Sequence, residues 1–251
     1  MSEELSALHA SVERLQRIVD GLEPAQLRRQ AYPTEWTVAD VLSHLGSGAV
    51  ILRQRFEDIV HGRQTGEDLN QATWDEWNAK TPDDQAADAL MADQSLVSSL
   101  AALGDDRRDG FRLAMGPFDL DFDGFVGLRL NEHVLHTWDV EVVLDPAAVL
   151  PDTAARLMID NLSTIAGFAG RPVGRTETLH VRTSDPSRDF TVGLSTDSVT
   201  LAGSEPVADP ELDLPSEAFI RLVYGRLDPE HTPGTVVGAA LDTLRRTFPG
   251  F

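Results

Sequence analysis

Leu5, Leu8, Val12, Leu15, Val19 and Leu22 recur at three- and four-residue intervals, so the spacing predicts an amphipathic helix over residues 3–22, ended near Gly21 and Pro24. After a polar connector, Thr37 with Asp40 three residues on has the form of a capping box and opens a second helix that runs to about His61. A short helix carrying Trp74 and Trp77 is expected within 69–80. Pro82-Asp83-Asp84 then starts a long helix that stops at Leu103-Gly104, its acidic first turn suiting the helix dipole. Residues 105–121, rich in charge and glycine, read as a loop. From Phe122 to about Leu144 the pattern is helical again, until Asp145-Pro146 ends it. Four helices of about twenty residues each predict an antiparallel bundle, an architecture that commonly builds metal sites from side chains on facing helices.

Past Pro146 the texture changes. A helix is expected at about 152–168, then strand-like runs at Thr178–Arg182, Phe190–Leu194 and Ser198–Leu201 separated by Asp, Pro, Ser and Gly. Helices at about 216–225 and 235–247 close the chain. The predicted fold class is therefore α+β in two domains: a four-helix bundle over 1–148, followed by a small α+β domain over 149–251 with helices packed on one face of an antiparallel sheet.

Composition narrows the partners. With 251 residues, 41% of them hydrophobic, the chain has ample material for a core. A formal charge of -20 argues against nucleic acid, which needs clustered basic surface, and the Arg residues here are scattered among more numerous acids. No run approaches the roughly eighteen apolar residues of a membrane span, and residues 1–22 are amphipathic and acidic without an apolar signal core. Neither a membrane partner nor export is expected, and the cytoplasm is the default location. Oligomeric state is left open between monomer and homodimer. Cysteine is absent, which excludes disulfides, thiolate metal sites and a cysteine nucleophile; any sulfur chemistry must use a thiol from outside. Lys80 is the one lysine, so Schiff-base chemistry would rest on it alone, and it reads better as a solvated surface group.

The sharpest candidate chemistry lies in Glu132-His133-Val134-Leu135-His136. Residues four apart sit one above the other on a helix, so Glu132 and His136 can grip one ion, and His44 on the second helix can bring a third ligand. Two imidazoles and one carboxylate leave a coordination position open, the condition for catalysis rather than bracing. The same spacing also serves an ordinary exposed Glu–His pair. Val134, Leu135 and Trp138 favour burial of this helix, and a buried Glu needs a partner, which a metal supplies. His133 points about 100° away from Glu132 and reads as a packing or supporting residue. Asp139 either accepts a hydrogen bond from the His136 imidazole or is a plain surface carboxylate. His9, His61, His180 and His231 lack ligand-like company and read as surface groups.

Trp36-Thr37-Val38 leading into His44-Leu45, followed some ninety residues on by Glu132-x-x-x-His136-x-x-Asp139, resembles the mycothiol-dependent maleylpyruvate isomerase family, a branch of the DinB-like metal-binding helical bundles. The resemblance extends over the whole chain: the C-terminal half, with Leu222-Val223-Tyr224-Gly225-Arg226-Leu227, is similar to the family's sterol-carrier-like domain. It implies a zinc ion, or another divalent metal, on His44, Glu132 and His136, with the remaining position taken by water or by the sulfur of mycothiol. It also implies that Arg226 serves the active site by anchoring a substrate carboxylate, although the residue equally suits the plain task of satisfying helix C-terminal carbonyls. Residues 65–85 carry Trp74, Trp77 and Lys80 and no counterpart to an N-terminal arginine used in the isomerase, so a dicarboxylate substrate is not implied. The expected activity is thiolate addition to a small electrophile, ending in isomerisation or S-transfer. Metal-dependent hydrolysis and a non-enzymatic metal-binding or regulatory module are the competing expectations.

Overall fold

A computed structural model describes residues 1–115, 118–236 and 238–250. The chain divides into two compact units, Met1–Asp145 and Pro146–Phe251.

In the first unit, α1 spans Glu3–Asp20, with the Ser2 hydroxyl accepting from the Leu5 amide at its start and Leu5, Leu8, Val12 and Leu15 buried along one stripe. Helix α2, Val38–Val60, opens on the expected capping box: the Asp40 amide donates to Thr37 Oγ1 and the Thr37 amide to the Asp40 carboxylate. The short α3, Leu69–Asn78, buries Trp77 and leaves Trp74 half exposed. Helix α4, Pro82–Ala101, is capped by Thr81, and α6, Phe122–Glu141, by Asp121, whose carboxylate accepts from the Gly124 amide. Helix α2 packs on α4 and α6, and α1 packs on the same two, so α1 and α2 lie on one diagonal of the bundle and α4 and α6 on the other.

The segment read as a loop over 105–121 has more order than its composition suggested. It forms a five-residue helix α5, Asp105–Asp109, and an antiparallel pair β1, Leu113–Met115, and β2, Phe118–Leu120. Phe111 anchors it, packing 5.7 Å from Phe56 and 5.4 Å from Phe125 between ring centroids. Elements this short have no room to display a hydrophobic period. Lys80 is likewise not a free surface group: it pairs with Asp88 at 2.7 Å and lies over the Trp77 ring.

In the second unit the expected helix at 152–168 is interrupted. Helix α7, Asp152–Met158, and α8, Leu162–Ala169, are separated by a 3-10 turn at Ile159–Asn161, where the Asn161 amide side chain donates back to the Leu157 carbonyl. Strands β3, Glu177–Ser184, β4, Arg188–Leu194, and β5, Val199–Gly203, pair antiparallel, and a fourth strand β6, Leu212–Pro215, adds to β3 in parallel, giving the order β5-β4-β3-β6. Four residues ending in proline gave no strand signal, yet Leu212 and Leu214 alternate inward with Leu179, Val181, Phe190 and Val192. That face packs on α8 and on α9, Ser216–Val223; the last helix, α10, Leu241–Thr247, starts later than expected. Gly116, Pro117 and Val237, on which parts of the expected loop and last helix fall, lie outside the described residues.

Gly46 shows how tightly α2 is seated. A Cβ there would meet the Trp77 ring at 2.2 Å and the Ala89 Cα at 2.9 Å, so the glycine lets α4 and Trp77 close onto the helix one turn from the middle of the bundle. Gly46→Ala is expected to destabilise the protein by about 1–3 kcal/mol through overpacking, despite alanine's better helix propensity; an unchanged midpoint in urea unfolding followed by helical circular dichroism would refute this close packing.

Candidate metal centre

His44 projects from α2, and Glu132 and His136 from adjacent turns of α6. The structure brings all three together: one ligand atom from each lies within 4.8 Å of the others. His44 Nε2 is 3.3 Å from Glu132 Oε2, and His136 Nε2 is 3.6 Å from the same oxygen. Bonds of about 2.0–2.1 Å at tetrahedral angles would separate zinc ligands by roughly 3.3 Å, so these spacings suit such an ion. The donor set, two imidazole nitrogens and a carboxylate oxygen, has the borderline character that zinc and its first-row neighbours accept.

The surroundings prepare those donors. His136 Nδ1 is 2.8 Å from Asp139 Oδ2, and Asp139 is fully buried. Donation of the Nδ1 proton to this carboxylate leaves the Nε2 lone pair facing Glu132, and two acceptors facing each other at 3.6 Å call for a proton or a cation between them. Burial pushes the Glu132 carboxyl up, but the His44 hydrogen bond and the charges of His136, His44 and Arg129 more than reverse this and hold it at about 2. The ligand carboxylate is thus ionised at any ordinary pH. The Trp36 ring packs against both imidazoles, 5.1 Å from His44 and 5.8 Å from His136 between centroids. Its loop is pinned by the Ala31 amide donating to the Trp36 carbonyl and the Tyr32 amide to the Asp139 carbonyl.

His133, on the other side of α6, joins a buried polar cluster at the centre of the bundle. Its Nε2 is 3.1 Å from Asp93 Oδ2 on α4, and its Nδ1 is 2.8 Å from Ser11 Oγ on α1. Arg129, one turn before His133, donates Nη2 to Asp93 Oδ1 at 2.5 Å and to the Leu45 carbonyl on α2 at 2.8 Å. If Nε2 carries the imidazole proton, Nδ1 accepts from Ser11, and the cluster balances one cation against one anion with a neutral His133. The sequence reading gave His133 a supporting place, but it did not single out Arg129, Asp93 or Ser11. A buried arginine and aspartate in otherwise apolar helix stripes were the available signal.

In the second unit Arg226 follows the αL glycine that ends α9: Gly225 has φ +72°, its amide donates to Leu222 O and the Arg226 amide to Arg221 O, a Schellman pattern. Arg226 Nη1 donates to the Tyr224 carbonyl at 3.0 Å. His9 and His61 are exposed as expected, whereas His180 and His231 are partly buried and meet Glu211 and Asp228.

A helical bundle on which His44, Glu132 and His136 converge, joined to a separate α+β unit, is the architecture of the chain. A family model described as the mycothiol maleylpyruvate isomerase N-terminal domain matches residues 8–141, and the chain belongs to that family. Among solved structures, a mycothiol-dependent maleylpyruvate isomerase aligns with a TM-score of 0.66 at 14% identity, covering 89% of this chain and 88% of that one. A histidine-to-alanine variant of that isomerase aligns with a TM-score of 0.65 at the same identity and coverage. No curated protein matches the sequence. At this identity the structural likeness speaks for the fold.

Burial alone would push the Asp93 carboxyl up, but Arg129 and His133 hold it below the ordinary carboxylate range. A depressed native value stabilises the fold fully above the unfolded value near 3.9, and this contribution is lost as pH falls through the native value. Asp93→Asn, which leaves Arg129 buried without its counter-charge, is expected to cost about 3–5 kcal/mol at neutral pH. The gap to wild type should narrow once pH drops below about 3.9, because the unfolded wild type then takes up a proton that native Asp93 resists. Urea unfolding at pH 7 and pH 3 reads this, and an equal gap at both would show that Asp93 is not held as an anion.

Proposed function

We propose that the protein is a divalent-metal enzyme, zinc being the best-suited ion, that uses an external low-molecular-weight thiol, mycothiol, on a small electrophilic substrate. The convergence of His44, Glu132 and His136 carries this reading, and membership of the mycothiol maleylpyruvate isomerase family directs it toward thiol chemistry. A divalent ion on these ligands would supply Lewis-acid stabilisation of a thiolate at neutral pH, a free thiol otherwise titrating near 8.5.

The chain's own residues set the conditions for that chemistry. Asp139 orients the His136 ring and, by accepting from Nδ1–H, leaves Nε2 as the electron-pair donor turned toward Glu132. Glu132 is already an anion and needs to shed no proton on binding a cation. Trp36 packs against the two imidazoles on one side. The absence of cysteine leaves the nucleophilic sulfur to the co-substrate. Addition of the external thiolate to an electrophilic cis alkene forms a C–S bond as the π pair moves onto the neighbouring electron-withdrawing group, rotation follows about the C–C bond, now single, and return of that pair re-forms the alkene as the C–S bond breaks, releasing the trans product and the thiolate. Protonation of the adduct at carbon with retention of the C–S bond instead gives S-transfer. Arg226 enters this reading through the family resemblance as the candidate anchor for a substrate carboxylate.

His44→Ala is expected to lose metal and activity together, at least 10–100-fold in affinity. Elemental analysis of the purified variant checks this, and full metal content would remove His44 from the ligand set. Activity should appear only on adding thiol. Turnover of esters or thiol amides by the metal-loaded protein with no thiol present would place it with the metal-dependent hydrolases instead. Tight metal binding with no thermal stabilisation by mycothiol would leave a binding module.

A further inference from the structure

Arg129 is one of the most deeply buried charged groups in the first unit, 2% exposed, and its position is unusual for a structural arginine. It sits on α6 one turn before Glu132, and a single nitrogen, Nη2, reaches both Asp93 on α4 and the carbonyl of Leu45, the residue after His44 on α2. A buried ion pair is poor evidence of stabilisation, since well-packed apolar residues of similar volume often serve as well or better. The guanidinium also accepts a cost, because its Nε is buried and has no hydrogen-bond partner among the described residues. Gly48, one turn after Leu45, leaves it room: a Cβ there would come within 3.1 Å of Arg129 Nη1. These features put a rigid planar cation between the two helices that carry the three candidate ligands, fastened to the backbone beside one of them and braced by an acid from a third helix.

We infer that Arg129 is a positioning residue of the metal centre: braced by Asp93, it clamps the Leu45 carbonyl so that His44 on α2 stays in register with Glu132 and His136 on α6. Arg129 touches neither the ligand atoms nor a substrate in this role, and it acts through the helix backbone.

The inference rests on the metal-site reading above, and the experiment separates the two. Zinc affinity of the full chain is measured by competition with a chromophoric chelator, the visible bands of the cobalt-substituted protein report ligand geometry, and melting of the metal-free protein reports the fold. The paired variant Asp93→Asn with Arg129→Met removes the cation and its counter-charge together, so no charge of the pair is left stranded in the core. It is expected to remain folded, to bind zinc about 10–100-fold more weakly and to shift the cobalt bands. Gly48→Ala keeps every charge and crowds only the guanidinium; it should weaken zinc binding and shift the cobalt bands in the same direction, by less. Should the paired variant not fold, Gly48→Ala alone decides. A folded paired variant, or failing that Gly48→Ala, with wild-type zinc affinity and cobalt bands overturns the positioning role while the metal site stands. A wild-type chain that binds neither zinc nor cobalt overturns both.

Discussion

The carboxylate of Asp93 is the point at which the four-helix unit is tied together. It stands on α4, receives Arg129 and His133 from α6, and through them reaches the Leu45 carbonyl on α2 and Ser11 on α1. Apolar packing is non-directional and would tolerate small slides of one helix along another. A buried polar cluster does not, because each displaced partner leaves a desolvated group unpaired at a cost of about 1–3 kcal/mol, more for a charge. Register between α2 and α6 is therefore set at the bundle axis. The capping box at Thr37 and the Gly46 contact with Trp77 and Ala89 then fix where α2 starts and how closely it approaches α4.

The ligand set follows from that register. Glu132 and His136 meet because they are four apart on one helix, which requires only that α6 be helical. His44 meets them only if α2 stands at the correct height and rotation. A displacement of one residue would move its ring by 1.5 Å along the axis and about 100° around it, out of reach of Glu132. Site geometry and fold stability thus draw on the same contacts, and the residues that hold the site are those least exposed to solvent.

This division explains what could be read from the chain before its structure. The long helices declare themselves through apolar spacing, and α2 begins at the Thr37 capping box that the sequence predicts, whereas the Ser2, Thr81 and Asp121 caps of α1, α4 and α6 emerge from the structure. The pairing of Glu132 with His136 was legible for the same reason, being local. Arg129 with Asp93, and Asp93 with Ser11 through His133, span 36 or more residues and belong to no periodic signal. The hairpin β1–β2 and strand β6 were hidden for a different reason: three or four residues cannot establish alternation, and the order of β6 comes from its pairing with Val181–Ser184 of β3. The helix expected at 152–168 is interrupted by a 3-10 turn at Ile159–Asn161, where the Asn161 side chain donates to the Leu157 carbonyl, a local choice that composition does not forecast.

The same considerations bear on how affinity for a cation would be distributed. In small metal domains, binding energy is largely folding energy, because the ligands converge only when the ion draws them together. Here caps, the Gly46 contact and the Asp93 cluster order the helices through interactions independent of any ligand atom. Less of the binding free energy is then consumed in ordering the chain, and more remains to hold a strained or open coordination sphere. That is the arrangement a catalytic site needs, since an ion retained by three protein ligands must keep a fourth position exchangeable while its co-substrate comes and goes. A chain with no cysteine of its own offers no internal thiolate for such a position.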